Sequence, residues 1–262
     1  MNDNAIAVRE KSSNRSLERA LHLLLVMEET GRPMGLTELS QATQLPKPTV
    51  QRLLSVLGNY SFSEKRQGRY HLGIAVLPLA HAFLLGSELT RVTLPVLQEL
   101  AQSSEETVSL FVRLGFHRVL VQRVDGRHPL RYILPTGQRL PLHIGLGKVL
   151  AAALPENELH QLVEMAGDFH LATGELVTRK VLLDDIDQIR RQGYVISRNE
   201  RTMGAASVGA PVVDANGMTI AAVAVAGHAE RLTLKRLNDL SIEVRGAAKA
   251  IAERYDGGSR RI

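Results

Sequence analysis

The residues with the plainest chemistry are Lys47, Thr49, Gln51 and Arg52, packed into six consecutive positions. Val50, Leu53, Leu54 and Leu57 follow the i, i+3, i+4, i+7 spacing of one apolar stripe on a helix. The same spacing leaves Pro48, Gln51, Arg52, Ser55 and Asn59 on the opposite face. A glutamine amide can pair with adenine in two places and a guanidinium with guanine, each worth roughly 1–3 kcal/mol of base discrimination. Lys47 and Thr49, at the helix start, suit phosphate. Lys65, Arg66 and Arg69 follow in SEKRQGRYHLG, a basic hairpin able to hold backbone or enter the minor groove. Double-stranded DNA is the partner these side chains fit.

Elements must hold that face outward. LTELSQAT predicts a preceding helix with Thr37 as its N-cap, and Gln44-Leu45-Pro46 a tight turn. Leu17, Ala20, Leu21 and Leu24 predict an opening helix capped by Ser16. Gly68 marks the hairpin tip. Residues 1–73 carry 10 Lys+Arg against 7 Asp+Glu, more than half of the net charge of +5 on about a quarter of the chain. Between Pro46 and Gly73 the local balance is +4, a concentration that suits phosphate contact.

The length of 262 residues allows two domains with a core in each. The expected boundaries are a disordered tail over 1–13, a winged helix-turn-helix over 14–73, a linker helix over 74–90, an effector domain over 91–256 and a tail over 257–262. IAVLPLAHAFLLGSEL is apolar almost all round, so its helix must be buried, against a second copy or within its own subunit. Beyond it, helices are expected over 94–102, 145–154, 177–192 and 233–255. Strands are expected over 107–114, 117–124, 130–134, 207–213 and 218–226, the last two joined by the Asn216-Gly217 hairpin signal. Grouped strands flanked by helices make an α+β domain.

Other chemistries fit poorly. No cysteine is present, which excludes disulfides and a thiolate metal site or nucleophile. Gly145-Leu146-Gly147-Lys148 lacks the earlier glycine and the following hydroxyl of a phosphate loop, since Leu142 and Val149 stand there. Ala205-Ala206-Ser207-Val208-Gly209 lacks the first glycine of a serine elbow, and a strand follows it. The nine histidines show no metal-binding pair, and Asp184, Asp185 and Asp187 read as a solvated helix face. No catalytic, metal or cofactor site is expected. No signal peptide or membrane span is legible, so a cytoplasmic location is expected.

The pieces together resemble the isocitrate lyase regulator (IclR) family of bacterial transcription factors. Leu17-Glu18-Arg19-Ala20-Leu21 resembles its opening helix. Leu36-Thr37-Glu38-Leu39 with the run from Leu45 to Leu54 resembles its helix-turn-helix, and Gly68-Arg69-Tyr70-His71-Leu72-Gly73 the end of its wing. Pro141-Leu142-His143 with Gly147-Lys148 resembles its effector-domain signature. So does the run from Gly193-Tyr194 through Glu200, Gly204 and Ala210-Pro211-Val212 to Ala226-Gly227. Three departures stand out. Pro48 replaces a usual Ser, Ser61 replaces a usual Gly at the wing, and the loop from His143 to Gly147 is one residue short.

The resemblance implies a winged helix-turn-helix joined to a GAF-like α/β domain that holds a small metabolite, in a homodimer or a dimer of dimers. By motif position the effector site would comprise Gly145, Leu146, Gly147, Ser197, Ala205, Ser207, Ala224 and Ala226, with backbone N–H groups of Gly145 to Gly147 free for a carboxylate. Ala224 and Ala226 lack donors, which points to an acid larger or less polar than a two-carbon one, such as an aromatic or branched acid. The implied function is a metabolite-modulated regulator, a repressor by preference, that reads a DNA operator. The alternatives are an enzyme domain fused to a DNA-binding module and a DNA-binder that ignores ligands.

Overall fold

The computed structural model describes residues 14–128 and 134–259. It divides into two compact units, one ending at Gly86 and one beginning at Ser87.

The first unit opens with α1 (Arg15–Thr30), α2 (Leu36–Thr43) and α3 (Lys47–Asn59). Leu23, Val26 and Met27 of α1, Leu39 of α2, and Val50, Leu53 and Leu54 of α3 share one small core with Met34 and Tyr70. Strands β1 (Ser63–Arg66) and β2 (Arg69–Leu72) pair antiparallel as the wing, and Met34 bridges Tyr70 at its edge. Gly68 turns the wing at φ +77°. Gly73 lies so close to the Ser61 carbonyl that a Cβ there would collide with backbone.

The helix starts differ by a residue or two from those expected. Gly35, not Thr37, caps α2, because the Glu38 side chain accepts the Gly35 N–H at 2.6 Å and closes the first turn from inside. Asn14, not Ser16, precedes α1.

The apolar stretch after the wing forms α4 (Val76–Gly86), which ends short of the expected 90. Ser87 leaves the helix in extended geometry, and its Oγ accepts the Thr90 N–H, which starts α5 (Glu88–Ser104). No residue of α4 is buried within this chain; Phe83 is 60% exposed and Leu85 72%. Residues 1–13 and most of the expected strand over 130–134 lie outside the described residues.

The second unit is built on a six-stranded antiparallel sheet in the order β5-β4-β3-β10-β9-β8. The strands are β3 (Thr107–Leu114), β4 (His117–Val124), β5 (Arg139–Pro141), β8 (Val195–Arg198), β9 (Ala205–Val213) and β10 (Thr219–His228). Alternation puts Val108, Leu110, Val208, Val212, Val223 and Val225 on one face, and all are buried or nearly so. Helices α5 and α9 (Leu234–Ser259) pack beside that sheet. The opposite face meets α6 (Gly147–Ala151), α7 (Glu156–Ala166) and α8 (Arg179–Gln192) through a core of Phe111, Leu120, Leu142, Leu146, Leu159, Leu182 and Ile186. A short hairpin, β6 (Phe169–His170) with β7 (Leu176–Val177), lies between α7 and α8 in the chain. Helix α6 is shorter than the expected 145–154, while α7 and β8 had no counterpart in the sequence reading. No helix among the described residues is long and apolar enough to cross a membrane.

Candidate functional site

In the first unit, the apolar stripe of α3 is buried as its spacing requires, and Lys47, Pro48, Gln51, Arg52 and Ser55 are exposed, with Thr49 half-buried. Pro48 has no N–H, and the next two, of Thr49 and Val50, bond the Pro46 carbonyl. The N–H groups of Thr49 and Val50 are therefore not open to phosphate. Lys47 and Arg52 make no hydrogen bond or ion pair among the described residues. The wing cations are held differently. Arg66 pairs with Glu64 at 2.7 Å, and Arg69 reaches Glu38 at 3.2 Å and the Pro33 carbonyl at 3.0 Å. Arg32 joins the same Glu38. Lys65 lies over the Tyr70 ring. The Gly35 N–H first, then Arg32 and Arg69, hold the Glu38 carboxyl below its ordinary range. Exposed pairs of this kind are weak in water, so a phosphate can replace Glu38 or Glu64 at little cost.

In the second unit, one face of the sheet is paved with small side chains. Ser197, Ser207, Ala226 and Thr107 form one row across β8, β9, β10 and β3; Gly209, Ala224, Ser109 and Arg123 form the next, across β9, β10, β3 and β4. Small residues leave a hollow between sheet and covering loops. It is a cavity of about 60 Å³, closed over by Gly145, Leu146, Glu200 and Arg201 and bounded by Phe111 and Arg118. Seven of the eight expected positions line it: Gly145, Leu146, Ser197, Ala205, Ser207, Ala224 and Ala226. Gly147 does not. It backs onto Arg118 and the carbonyls of Pro141 and Leu142, which a Cβ would strike.

Three features differ from expectation. The N–H groups of Gly145 and Gly147 are not free for a ligand carboxylate. Gly145 donates to Glu200 Oε2 at 3.0 Å and Gly147 to the Ile144 carbonyl, so the chain supplies its own acid there. The donors that Ala224 and Ala226 withhold come from Ser109, Ser197, Ser207 and Arg118 on neighbouring strands. Asp185 is no mere solvated acid. Lys148, 6% exposed, bonds Asp185 Oδ2 at 2.7 Å and Glu200 at 3.1–3.2 Å. Burial works to lower the Lys148 pKa, but Glu200 and Asp185 together outweigh it and hold it above its ordinary value. This triad ties α6 to α8 and to the loop after β8.

Arg118 is the residue the sequence reading missed. It is 4% exposed, and burial, then the field of Arg201, pull its pKa down to about 9, with Glu200 opposing. It stays charged at neutral pH. Of the two motifs set aside in the sequence, Ser207 lies inside β9 with no elbow, and Lys148 of the glycine loop is taken by two acids.

Comparison with known proteins agrees with this architecture. Residues 16–62 match the model of the IclR helix-turn-helix domain, and residues 81–253 that of the bacterial transcriptional regulator IclR C-terminal domain. The HTH-type transcriptional repressor AllR of Salmonella typhimurium is 31% identical over 241 residues, which cover 91% of this chain and 89% of that protein. AllR of Escherichia coli is 30% identical over the same span. A putative transcriptional regulator from a Rhodococcus species, 28% identical, superposes with a TM-score of 0.73 over 93% of this chain and 99% of that one. An IclR homolog from Microbacterium hydrocarbonoxydans, complexed with 4-hydroxybenzoate, shares the fold at 19% identity, with a TM-score of 0.72 over 92% of this chain and 99% of that one. A helix-turn-helix with an exposed polar face on α3, an effector-type α+β unit and matches along nearly the whole length place this chain in the IclR family of bacterial transcriptional regulators.

Proposed function

We propose that this regulator represses transcription by seating α3 in the major groove of an operator, and that a small organic acid in the cavity of the second unit modulates that binding. The exposed, unpaired Lys47 and Arg52 on the outer face of α3 carry the DNA part of the reading. Gln51 and Arg52 read base edges, and Lys47, Thr49 and Ser55 hold phosphate beside Pro48. Lys65, Arg66 and Arg69 follow the backbone, the two arginines exchanging Glu64 and Glu38 for phosphate. Gly145, Leu146, Ser197, Ala205, Ser207, Ala224 and Ala226 enclose the effector. The AllR relatives are transcriptional repressors, and the 4-hydroxybenzoate complex of the Microbacterium homolog is a precedent for an acid ligand.

The apolar surface of α4 is covered by a second copy of the chain, giving a homodimer or a dimer of dimers. The effector then acts by favouring one dimer geometry over another, since a ligand indifferent to both would move nothing.

Fluorescence anisotropy tests this reading. The full chain should bind a duplex from its own upstream region far more tightly than random duplex, and an acid that raises its melting temperature should change that affinity. Equal binding to both duplexes would contradict it.

A further inference from the structure

The cavity holds one charged group that the fold leaves half used. Arg118 donates through Nη1 to the carbonyls of Pro141 and Ile144, at 3.2 and 2.9 Å. Those bonds fix the turn before α6 and occupy one end of the guanidinium. Its Nε is buried without a partner, and Nη2 makes no hydrogen bond among the described residues. Nη2 is therefore the donor that this guanidinium leaves to the cavity, while the unpartnered Nε is sealed from it. The Phe111 ring lies 5.5 Å from the guanidinium carbon and gives the group an apolar backing.

The surroundings do not supply an acid. Glu200 also lines the cavity, but its carboxylate is taken by Lys148 and the Gly145 N–H. Arg123 is matched by Asp125 at 2.8 Å and by the Leu134 carbonyl. Arg201 adds charge of the same sign as Arg118. Ser109, Ser197 and Ser207 line the same cavity, and their hydroxyls make no hydrogen bond among the described residues. A structural clamp on the Pro141–Ile144 turn accounts for Nη1 alone. A buried guanidinium with a bare donor is costly unless an anion meets it.

We propose that Arg118 is the specificity-determining residue of this cavity, its Nη2 taking the acidic group of a compact organic anion while the three serine hydroxyls meet the ligand's other polar group. This rests on the cavity being the effector site. The small space suits a compact ligand, since about 60 Å³ holds roughly four to six waters. Because Nη1 of the same residue holds the Pro141–Ile144 turn, capture of the acid bears directly on the loop that starts α6.

The test uses pairs of probes that differ only in charge: acetate, succinate, benzoate and 4-hydroxybenzoate, each against its primary amide. Calorimetric titrations with the full-length chain should find at least one acid that binds, with its amide weaker by roughly tenfold to a hundredfold, the range of a charged hydrogen-bonded pair. Arg118→Met should weaken the same acid by a similar factor, and Arg118→Lys by less. An amide that binds as well as its acid, or an acid that Arg118→Met binds undiminished, overturns the role of Arg118 and leaves the effector site standing. If no compound of either kind binds, the effector reading falls and Arg118 with it. Should Arg118→Met melt at a much lower temperature, the acid–amide comparison on the unaltered chain decides alone.

Discussion

His143 shows how one side chain records its surroundings. Its ring meets Phe169 edge-on at 4.8 Å, and burial first, then His117 and Arg118, pull its pKa from 6.5 to about 4. Above pH 6.5 the ring is neutral whether the chain is folded or not. Between 6.5 and about 4 the unfolded chain binds a proton that the folded chain refuses, so stability falls as pH falls through that window. The loss should be on the order of 1–3 kcal/mol. Urea melts at pH 7 and pH 4.5 should show a smaller drop for His143→Gln than for the parent; equal drops would deny the burial effect. Residues differ in how far their surroundings could be read in advance. The outward set of α3 was legible because helical spacing alone separates Gln51 and Arg52 from the leucine stripe. Arg118 and Arg123 were not. Strict alternation sends an even and an odd position to opposite faces, but a bulge between β3 and β4 inserts Val121 and returns Arg123 to the cavity side. The Lys148 pairs with Asp185 and Glu200 join positions 37 and 52 residues apart, which no local pattern records.

At the scale of elements, the wing carries a visible compromise. Ser61 sits at φ +60°, where a side chain is disfavoured and glycine is at ease. Its backbone explains the constraint: Ser61 N–H bonds the Gly58 carbonyl while its own carbonyl accepts the Ala75 N–H. Ser61→Gly should therefore stabilise the first unit by up to about 1 kcal/mol. A rise in the denaturation midpoint without a change of slope would confirm this, and a fall would show that the hydroxyl matters more than the backbone. Strong elements were readable: α3, α8, β9, β10 and α9 follow their apolar periods and turn signals. Weak ones were not. β8 is four residues long, and α6 is fixed by the turn that Arg118 and Glu200 hold rather than by its own sequence.

For the whole molecule, α4 is the element whose sequence and environment disagree within one chain. Leu77, Leu79, Phe83 and Leu85 are all more than half exposed, a surface that soluble proteins cover. Sedimentation of the full chain should give a dimer or a dimer of dimers. Phe83→Glu combined with Leu85→Glu should weaken association by at least about 3 kcal/mol, roughly a hundredfold in dissociation constant. A parent chain that sediments as a monomer at micromolar concentration would remove the second copy from the account. The central claim concerns α3, and one set of binding isotherms reaches it most directly. Parent, Lys47→Ala and Arg52→Ala chains are titrated onto the upstream duplex and a scrambled duplex at two salt concentrations. Arg52→Ala should lose preference between the duplexes by about 1–3 kcal/mol, whereas Lys47→Ala should weaken both alike and lower the salt slope by about one. Unchanged affinity for both duplexes in both variants would contradict the assignment of α3 as the helix that reads DNA.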